Sequence, residues 1–154
     1  MFYMSKEFDE FAEELQKQIF EEAKEVYGEK GFNRWLEMRY MGIIEEPDGH
    51  AVVRGECGDS MEIFLKFDGE RVKEARFMTD GCASSVICGS FAAELSIGKT
   101  PDEVIEVTAE SIIEEIGGLP EEERHCAFLA AETLQEALND YMIKQVKRDK
   151  GNKA

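Results

Sequence analysis

The first part of the chain has a hydrophobic pattern with the period of a helix. Between Ser5, a candidate N-cap, and Gly28, a candidate C-cap, apolar residues recur every three or four positions. The other face is rich in Glu and Lys, which is typical of a solvated surface. A shorter helix is predicted from Phe32 to Met38. The pattern thus predicts an amphipathic N-terminal helix whose apolar face contains Phe8, Phe11, Leu15, Ile19, Ala23 and Val26.

The middle of the chain changes to the alternating pattern of β-strands. Apolar and polar residues alternate over Met61 to Phe67, and a second strand-like run covers Val72 to Phe77. Asp68-Gly69 between them has the chemistry of a tight turn. We therefore expect an antiparallel hairpin, with His50 to Arg54 as a third strand.

Helical periodicity returns after the hairpin. One helix is predicted from Cys82 to Gly98, and Thr100-Pro101-Asp102-Glu103 has the capping signals that begin another. A short helix over Ala109 to Ile116 precedes Gly117-Gly118, and Pro120 opens a long C-terminal helix. These elements predict an α+β domain: a small antiparallel β-sheet of about three strands packed with helices, an N-terminal helical extension and a long C-terminal helix.

The net charge limits the possible partners, and the lengths of the uncharged stretches bear on the cellular compartment. With 34 acidic and 18 basic residues, the formal charge of -16 repels nucleic acid and anionic membrane surfaces. The longest uncharged stretch, Gly81 to Ala93, is too short to cross a bilayer, and the first residues show no apolar signal sequence. We expect a cytoplasmic protein of 154 residues with one core, whose four cysteines are reduced thiols.

Cys57 and Asp59 lie in a glycine-flanked segment, Gly55-Glu56-Cys57-Gly58-Asp59. The glycines let the backbone bend and leave the thiol unshielded, which is unusual for a core cysteine. Asp59 is two residues further on and could present its carboxylate to the same metal ion. From local sequence alone, a role as a turn or cap residue fits Asp59 equally well.

The other cysteines differ in their settings. Cys82 and Cys126 fall near predicted helix N-termini, where backbone N–H groups favour the thiolate. Cys88 is spaced with Ala92 and Leu95 and is predicted to lie in the core. His125 is a candidate fourth ligand or proton donor, or simply a hydrogen-bonded polar residue. Because Cys57, Cys82 and Cys126 are 25 and 44 residues apart with no C-x-x-C pair, spacing alone indicates only a Cys/Asp/His metal site.

Three motifs together resemble the IscU/NifU N-terminal domain family, over about residues 33–145. They are Gly55-Glu56-Cys57-Gly58-Asp59-Ser60-Met61, Asp80-Gly81-Cys82-Ala83, and Gly117-Gly118-Leu119-Pro120 leading to His125-Cys126-Ala127. The resemblance implies a scaffold protein, not an enzyme, that assembles a labile [2Fe-2S] cluster and transfers it to apo-proteins. A cysteine desulfurase would supply the sulfur. The implied metal ligands are Cys57, Asp59, Cys82 and Cys126, with His125 at the same cofactor site.

The implied ligand set also has consequences for the metal. A hard carboxylate binds cluster iron more weakly than a thiolate does, which suits a cluster that must be passed on. The same residues suit tetrahedral zinc, so Zn2+ is expected in the isolated protein. A [4Fe-4S] cluster shared by two chains, and with it a homodimer, stays open as an alternative. The resemblance divides the chain into an N-terminal amphipathic helical extension (1–30), a scaffold domain (31–148) and a tail (149–154).

Some residues depart from the family pattern. Ala83 follows Cys82 where the family usually has Gly. Glu121-Glu122-Glu123 replaces part of a Leu-Pro-Pro-Val-Lys stretch that an Hsp70-type chaperone recognises in IscU, which makes chaperone-assisted transfer doubtful.

A zinc-dependent sulfur acceptor of the SufU kind is the second hypothesis for the function. It is disfavoured because no insertion separates Cys82 from Cys126, and His125 is present. A zinc hydrolase, the third, needs a general base that does not stand out.

Overall fold

The computed structural model describes residues 6–151, and its architecture is the α+β fold predicted from the sequence. Three strands form one antiparallel sheet in the order β1-β2-β3. They are β1 (Gly49–Arg54), β2 (Ser60–Asp68) and β3 (Arg71–Thr79). Around them lie α1 (Lys6–Glu37), α2 (Ala83–Ser96), α3 (Pro101–Ile105), α4 (Ala109–Ile116) and α5 (Arg124–Gly151), with a 3-10 turn at Glu121–Glu123.

The hairpin forms as predicted, and β2 lies at the centre of the sheet. Ile63 pairs with Ala51 on one side and with Phe77 on the other. Met61, Ile63 and Leu65 are fully buried on one face of β2, which is the alternation that the sequence showed. Gly69 makes the turn between β2 and β3 at φ 64°, a conformation that favours glycine.

Helices α2 and α5 pack on the buried face of the sheet and against each other. Gly89 allows α2 to approach β3, because an added Cβ would lie 2.5 Å from the Phe77 ring. Cys88 is fully buried in the same helix, so its predicted place in the core is confirmed. At the far side of the sheet, the backbone of Gly49 approaches the carbonyl of Ala137 in α5. The first turns of α2 and α5 lie side by side near the β1–β2 loop, where Ser85 Oγ is 3.5 Å from Cys126 Sγ.

Helix α1 contains the break that Gly28 predicted. The Gly28 backbone is non-helical (φ 75°, ψ 171°), so two helical segments meet there. In the second segment, Arg34 is buried and its Nη2 donates to Glu94 Oε2 at 2.9 Å, which ties the segment to α2. The predicted N-cap Ser5 lies outside the described residues.

The first segment of α1 has much weaker ties to the domain. Five residues of its predicted apolar face are between 46% and 65% exposed: Phe8, Phe11, Leu15, Ile19 and Val26. Phe20 packs against Phe32, with ring centroids 5.6 Å apart, and this contact joins the two segments of α1 to each other. None of the helices within residues 6–151 has the length and apolar character needed to span a membrane.

Candidate metal centre

The β1–β2 loop, the end of β3 and the first turns of α2 and α5 meet at one end of the molecule. In the loop, the amide of Gly55 donates to the carbonyl of Asp59 at 2.7 Å, and the amide of Gly58 donates to the carbonyl of Gly55 at 3.0 Å. Gly58 has φ 92°, so the turn depends on glycine there. The turn holds Asp59 inward and leaves Cys57 exposed.

Cys82 is the N-cap residue of α2. Its carbonyl accepts hydrogen bonds from the amides of Ser85 and Val86, while its side chain makes no capping bond. The thiol is exposed. It therefore lies at the positive end of the helix dipole, which is the position that the sequence predicted.

Cys126 is fully buried in the first turn of α5. The pKa of its thiol is raised to about 12, mainly by desolvation on burial and to a smaller extent by the neighbouring Cys82 and Glu123, while the hydrogen bond from Ser85 opposes the rise. The expectation that the helix N-terminus favours a thiolate is therefore wrong for Cys126 in the metal-free chain, because the cost of burying the charge is larger. A metal ion must displace the proton from this sulfur.

Ser85 connects the ligand candidates. Its Oγ lies 3.3 Å from Asp59 Oδ2 and 3.5 Å from Cys126 Sγ, and it is fully buried. Gly81 leaves the room for this arrangement, because an added Cβ would lie 2.5 Å from Ser85 Oγ and 2.8 Å from Asp59 Oδ2. Nothing in the sequence singled out Ser85, since its role depends on the packing of α2 against α5.

Three of the four predicted ligands come together. One ligand atom from each of Asp59, Cys82 and Cys126 lies within 4.8 Å of the other two. Cys57 does not join this group and instead lines an adjoining open cavity of about 570 Å³ with His125 and Phe128. Two sulfurs and a carboxylate suit zinc or ferrous iron and leave a coordination position that Cys57 or His125 could fill. The ligand assignment stays a prediction.

The structure also brings in a residue that the sequence analysis did not consider as a ligand. Glu123, His125 and Cys126 form a second group whose ligand atoms all lie within 4.8 Å of one another. His125 Nε2 is 3.5 Å from Cys126 Sγ. In the sequence, Glu123 stood out only as part of an acidic run, although its position just before α5 could have suggested proximity to Cys126.

Thiols and a carboxylate that converge at an open end of an α+β domain define a small protein that binds a metal ion or a metal cluster. Comparison with known proteins is more specific. The chain belongs to the family of the NifU-like N terminal domain, whose model matches residues 26–148, and the resemblance noted in the sequence is thereby confirmed.

Curated relatives and solved structures agree with this membership. The chain is 38% identical over 126 residues to an iron-sulfur cluster assembly scaffold protein IscU of Archaeoglobus fulgidus, covering 81% of this chain and 82% of the relative. It is 34% identical over 130 residues to the IscU scaffold protein of Aquifex aeolicus, covering 82% and 83%.

Among solved structures, a putative iron-sulfur cluster assembly scaffold protein for the SUF system from Fervidobacterium islandicum AW-1 superposes with a TM-score of 0.64 at 25% identity. The match covers 75% of this chain and 98% of that one. A NifU-like N-terminal protein from Brucella abortus has a TM-score of 0.62 at 21% identity, over 79% and 98% of the two chains, and shows the shared fold.

Proposed function

We propose that this protein is a non-enzymatic scaffold on which a labile [2Fe-2S] cluster is assembled and from which it is transferred to apo-proteins. The observation that carries the proposal is the group of Asp59, Cys82 and Cys126 ligand atoms within 4.8 Å of one another at an exposed end of the domain. Membership of the NifU-like family, with relatives named as cluster assembly scaffolds, supports it.

Each ligand has a different part in the proposal. Cys126 is buried and forms the inner wall of the site. Cys82 and Cys57 are exposed and hold the outer side of the cluster. Asp59 provides a hard oxygen that binds cluster iron weakly and therefore lets the cluster leave. The hydrogen bonds of Ser85 orient Asp59 and Cys126, as neighbouring groups commonly do for metal ligands.

A cluster scaffold needs a sulfur donor and proteins that accept the cluster. We infer a cysteine desulfurase as the sulfur donor, because the exposed Cys57 and Cys82 thiols are accessible to another protein. Apo iron-sulfur proteins are the acceptors. We place these reactions in the cytoplasm and assign them to residues 31–148, with residues 1–30 as an extension and 149–154 as a tail.

Zinc is the metal that we expect in protein purified in air. Zn2+ is redox-inert and prefers tetrahedral sites with sulfur, nitrogen and oxygen ligands. Elemental analysis should find close to one zinc per chain. Zinc that stays bound after Cys57, Cys82 and Cys126 are all replaced by Ser would lie at another site.

Anaerobic reconstitution tests the proposed function. Apo-protein is incubated with ferrous iron, cysteine, a cysteine desulfurase and a reductant that supplies the electrons needed to convert persulfide sulfur to sulfide. The product is followed by absorption and Mössbauer spectroscopy. We expect a [2Fe-2S] spectrum and transfer of the cluster to an apo-ferredoxin. Formation of a persulfide on the protein without any cluster would instead favour the sulfur-acceptor function. A [4Fe-4S] spectrum together with a dimer in sedimentation would favour a cluster shared by two chains.

A further inference from the structure

The first segment of α1 carries an apolar surface that the rest of the chain leaves uncovered. Phe11, Leu15, Ile19 and Val26 form this surface, here called the N-terminal stripe, and each of them is at least 46% exposed. Neighbouring exposed apolar side chains with polar residues around them are typical of a contact site for another protein. The N-terminal stripe is therefore a candidate interaction surface.

The polar residues around the N-terminal stripe are mainly acidic. Residues 6–27 contain eight acidic and three basic side chains. None of the eight acidic side chains forms an ion pair with any residue in the range 6–151. Since this negative charge is not neutralised within the chain, the surface that fits the stripe should combine apolar side chains with cations.

The C-terminal end of α5 has this complementary composition. Met142, Ile143 and Val146 are between 45% and 51% exposed and form an apolar surface, here called the C-terminal patch. Residues 141–151 contain four basic side chains and one acidic side chain. Lys147 and Lys150 follow Ile143 and Val146 by four positions, so they adjoin the patch on the helix surface. Neither lysine forms an ion pair within the described part of the chain.

The stripe and the patch do not cover each other within one chain. The second segment of α1 is bound to α2, through the ion pair of Arg34 with Glu94 and the hydrogen bond from Ser84 to Tyr27 at the segment boundary. In this arrangement, both apolar surfaces stay exposed. A second copy of the chain offers each surface the one that it lacks.

We propose that two copies of this chain form a dimer in which the N-terminal stripe of each copy packs on the C-terminal patch of the other. Opposite charges beside the two apolar surfaces attract each other and fix which surfaces pair. Because each chain supplies both surfaces, a two-fold axis produces the same contact twice.

The proposed interface is remote from the metal centre. Val146 follows Cys126 by 20 residues in α5, which corresponds to about 30 Å along the helix at 1.5 Å per residue. Each chain therefore keeps its own metal centre. The dimer should form in metal-free protein, which distinguishes it from a dimer that is held together by a shared cluster.

Charge reversal followed by mixing tests the proposal. The stripe variant carries Glu7→Lys, Glu14→Lys and Glu22→Lys, three residues that lie three or four positions from Phe11 or Ile19. The patch variant carries Lys147→Glu and Lys150→Glu. Metal-free proteins are compared by sedimentation velocity over a wide concentration range. The wild type should be a dimer, and each variant alone should be a monomer because like charges then face each other. An equimolar mixture of the two variants should regain the dimer, since opposite charges meet again.

Matched controls change the same number of charges elsewhere on the same helices. Glu10→Lys, Glu13→Lys and Glu21→Lys alter residues that have no stripe residue three or four positions away. Lys144→Glu and Arg148→Glu are the corresponding pair in α5. Both control variants should remain dimeric. Circular dichroism and zinc content, which should stay close to one ion per chain, check that every variant is folded.

Several results would overturn the proposal. A wild type that is monomeric at every concentration would leave the stripe to a different protein or to its own chain, and an open-ended series of larger species would exclude a closed dimer. A patch variant that stays dimeric while the stripe variant does not would mean that two stripes pair with each other. A mixture that stays monomeric would show that the stripe and the patch do not meet. Cluster assembly is measured separately, and its failure would leave this dimer unaffected.

Discussion

The three candidate thiol ligands, Cys57, Cys82 and Cys126, have different surroundings. Cys57 and Cys82 are exposed, and Cys126 is fully buried. Burial keeps the Cys126 thiol protonated in the metal-free chain, with its pKa raised to about 12, so metal binding must release that proton. The site therefore combines one protected sulfur with two sulfurs that other proteins can reach.

Serine substitutions test the cysteine ligands individually. Replacing Cys57, Cys82 or Cys126 by Ser should sharply reduce the yield of reconstituted cluster, because an alcohol oxygen is a poor substitute for a thiolate at iron. Cluster yield is measured by absorption after anaerobic reconstitution. Cys88→Ala is the control and should keep the full yield. It should cost about 1 kcal/mol of unfolding free energy, similar to removal of a buried methyl group. Loss of the cluster in Cys88→Ala and its retention in Cys57→Ser would refute the assignment.

Asp59→Ala tests whether the carboxylate makes the cluster labile. The variant lacks the weak oxygen ligand, and His125, 3.5 Å from Cys126 Sγ, can supply a nitrogen instead. We expect it to assemble a [2Fe-2S] cluster, transfer it more slowly to an apo-ferredoxin and lose it more slowly to a chelator. Both rates are compared with those of the wild type. Faster loss would show that Asp59 retains the cluster.

Gly81→Ala tests the space around Ser85. The new methyl group would lie 2.5 Å from Ser85 Oγ and 2.8 Å from both Ser85 Cβ and Asp59 Oδ2, so Ser85 and Asp59 must move apart. We expect zinc affinity to fall by about tenfold or more, as when groups that orient ligands are lost. Competition with a chromophoric chelator measures this. Gly55→Ala is the control, because its nearest contact would be an ordinary 3.4 Å. Equal affinities in both variants would rule out the role assigned to this contact.

At the scale of secondary structure, the elements were more predictable than the site. The hairpin followed from alternation over Met61 to Phe67, and the break in α1 followed from Gly28, because both depend on local preferences. The group of Asp59, Cys82 and Cys126 could be suggested only by the family resemblance. The sequence could not place Ser85 or Glu123 there, because their positions depend on how α2, α5 and the turn before α5 pack together.

For the N-terminal helix, the sequence predicted the helix but not the exposure of its apolar face. The amphipathic pattern was recognised, but periodicity does not tell whether an apolar face is covered by the same chain. Tyr27 marks the point where α1 joins the domain, because its hydroxyl accepts a hydrogen bond from Ser84 Oγ at 3.2 Å. Beyond it, Gly31 is buried close to Ile116. The helix before Tyr27 should therefore be dispensable for the fold.

Truncation tests this expectation. A chain lacking residues 1–25 should keep its zinc affinity and unfold within about 1 kcal/mol of the full-length protein, since residues 6–19 of this helix are exposed at the surface. Removal of residues 1–31 should destabilise it clearly, because Tyr27 and Gly31 are lost. Chemical unfolding followed by circular dichroism measures both. An unfolded 26–154 chain would show that the N-terminal helix is part of the core.

At the scale of the whole molecule, the negative charge affects which partner proteins can bind. The chain carries a formal charge of -16, and Glu121, Glu122 and Glu123 add to the negative charge beside the metal centre. In IscU, the corresponding stretch is apolar and basic where these glutamates occur here. Charges placed in a recognition segment disfavour partners that are built for an apolar one. We therefore expect cluster release to be independent of an Hsp70-type chaperone.

The rate of cluster transfer, measured with and without the chaperone, tests this expectation. With an IscU-specific Hsp70 chaperone, its co-chaperone and ATP, release of the cluster to an apo-ferredoxin should be barely faster than without them. The triple variant Glu121→Pro, Glu122→Val, Glu123→Lys restores the recognised stretch and should gain an ATP-dependent acceleration. The double variant Glu121→Pro, Glu122→Val keeps Glu123 at the metal centre and separates chaperone docking from effects on the ligands. A large acceleration of the wild type would mean that the chaperone binds elsewhere on the surface, and that the acidic turn does not govern the choice of partner.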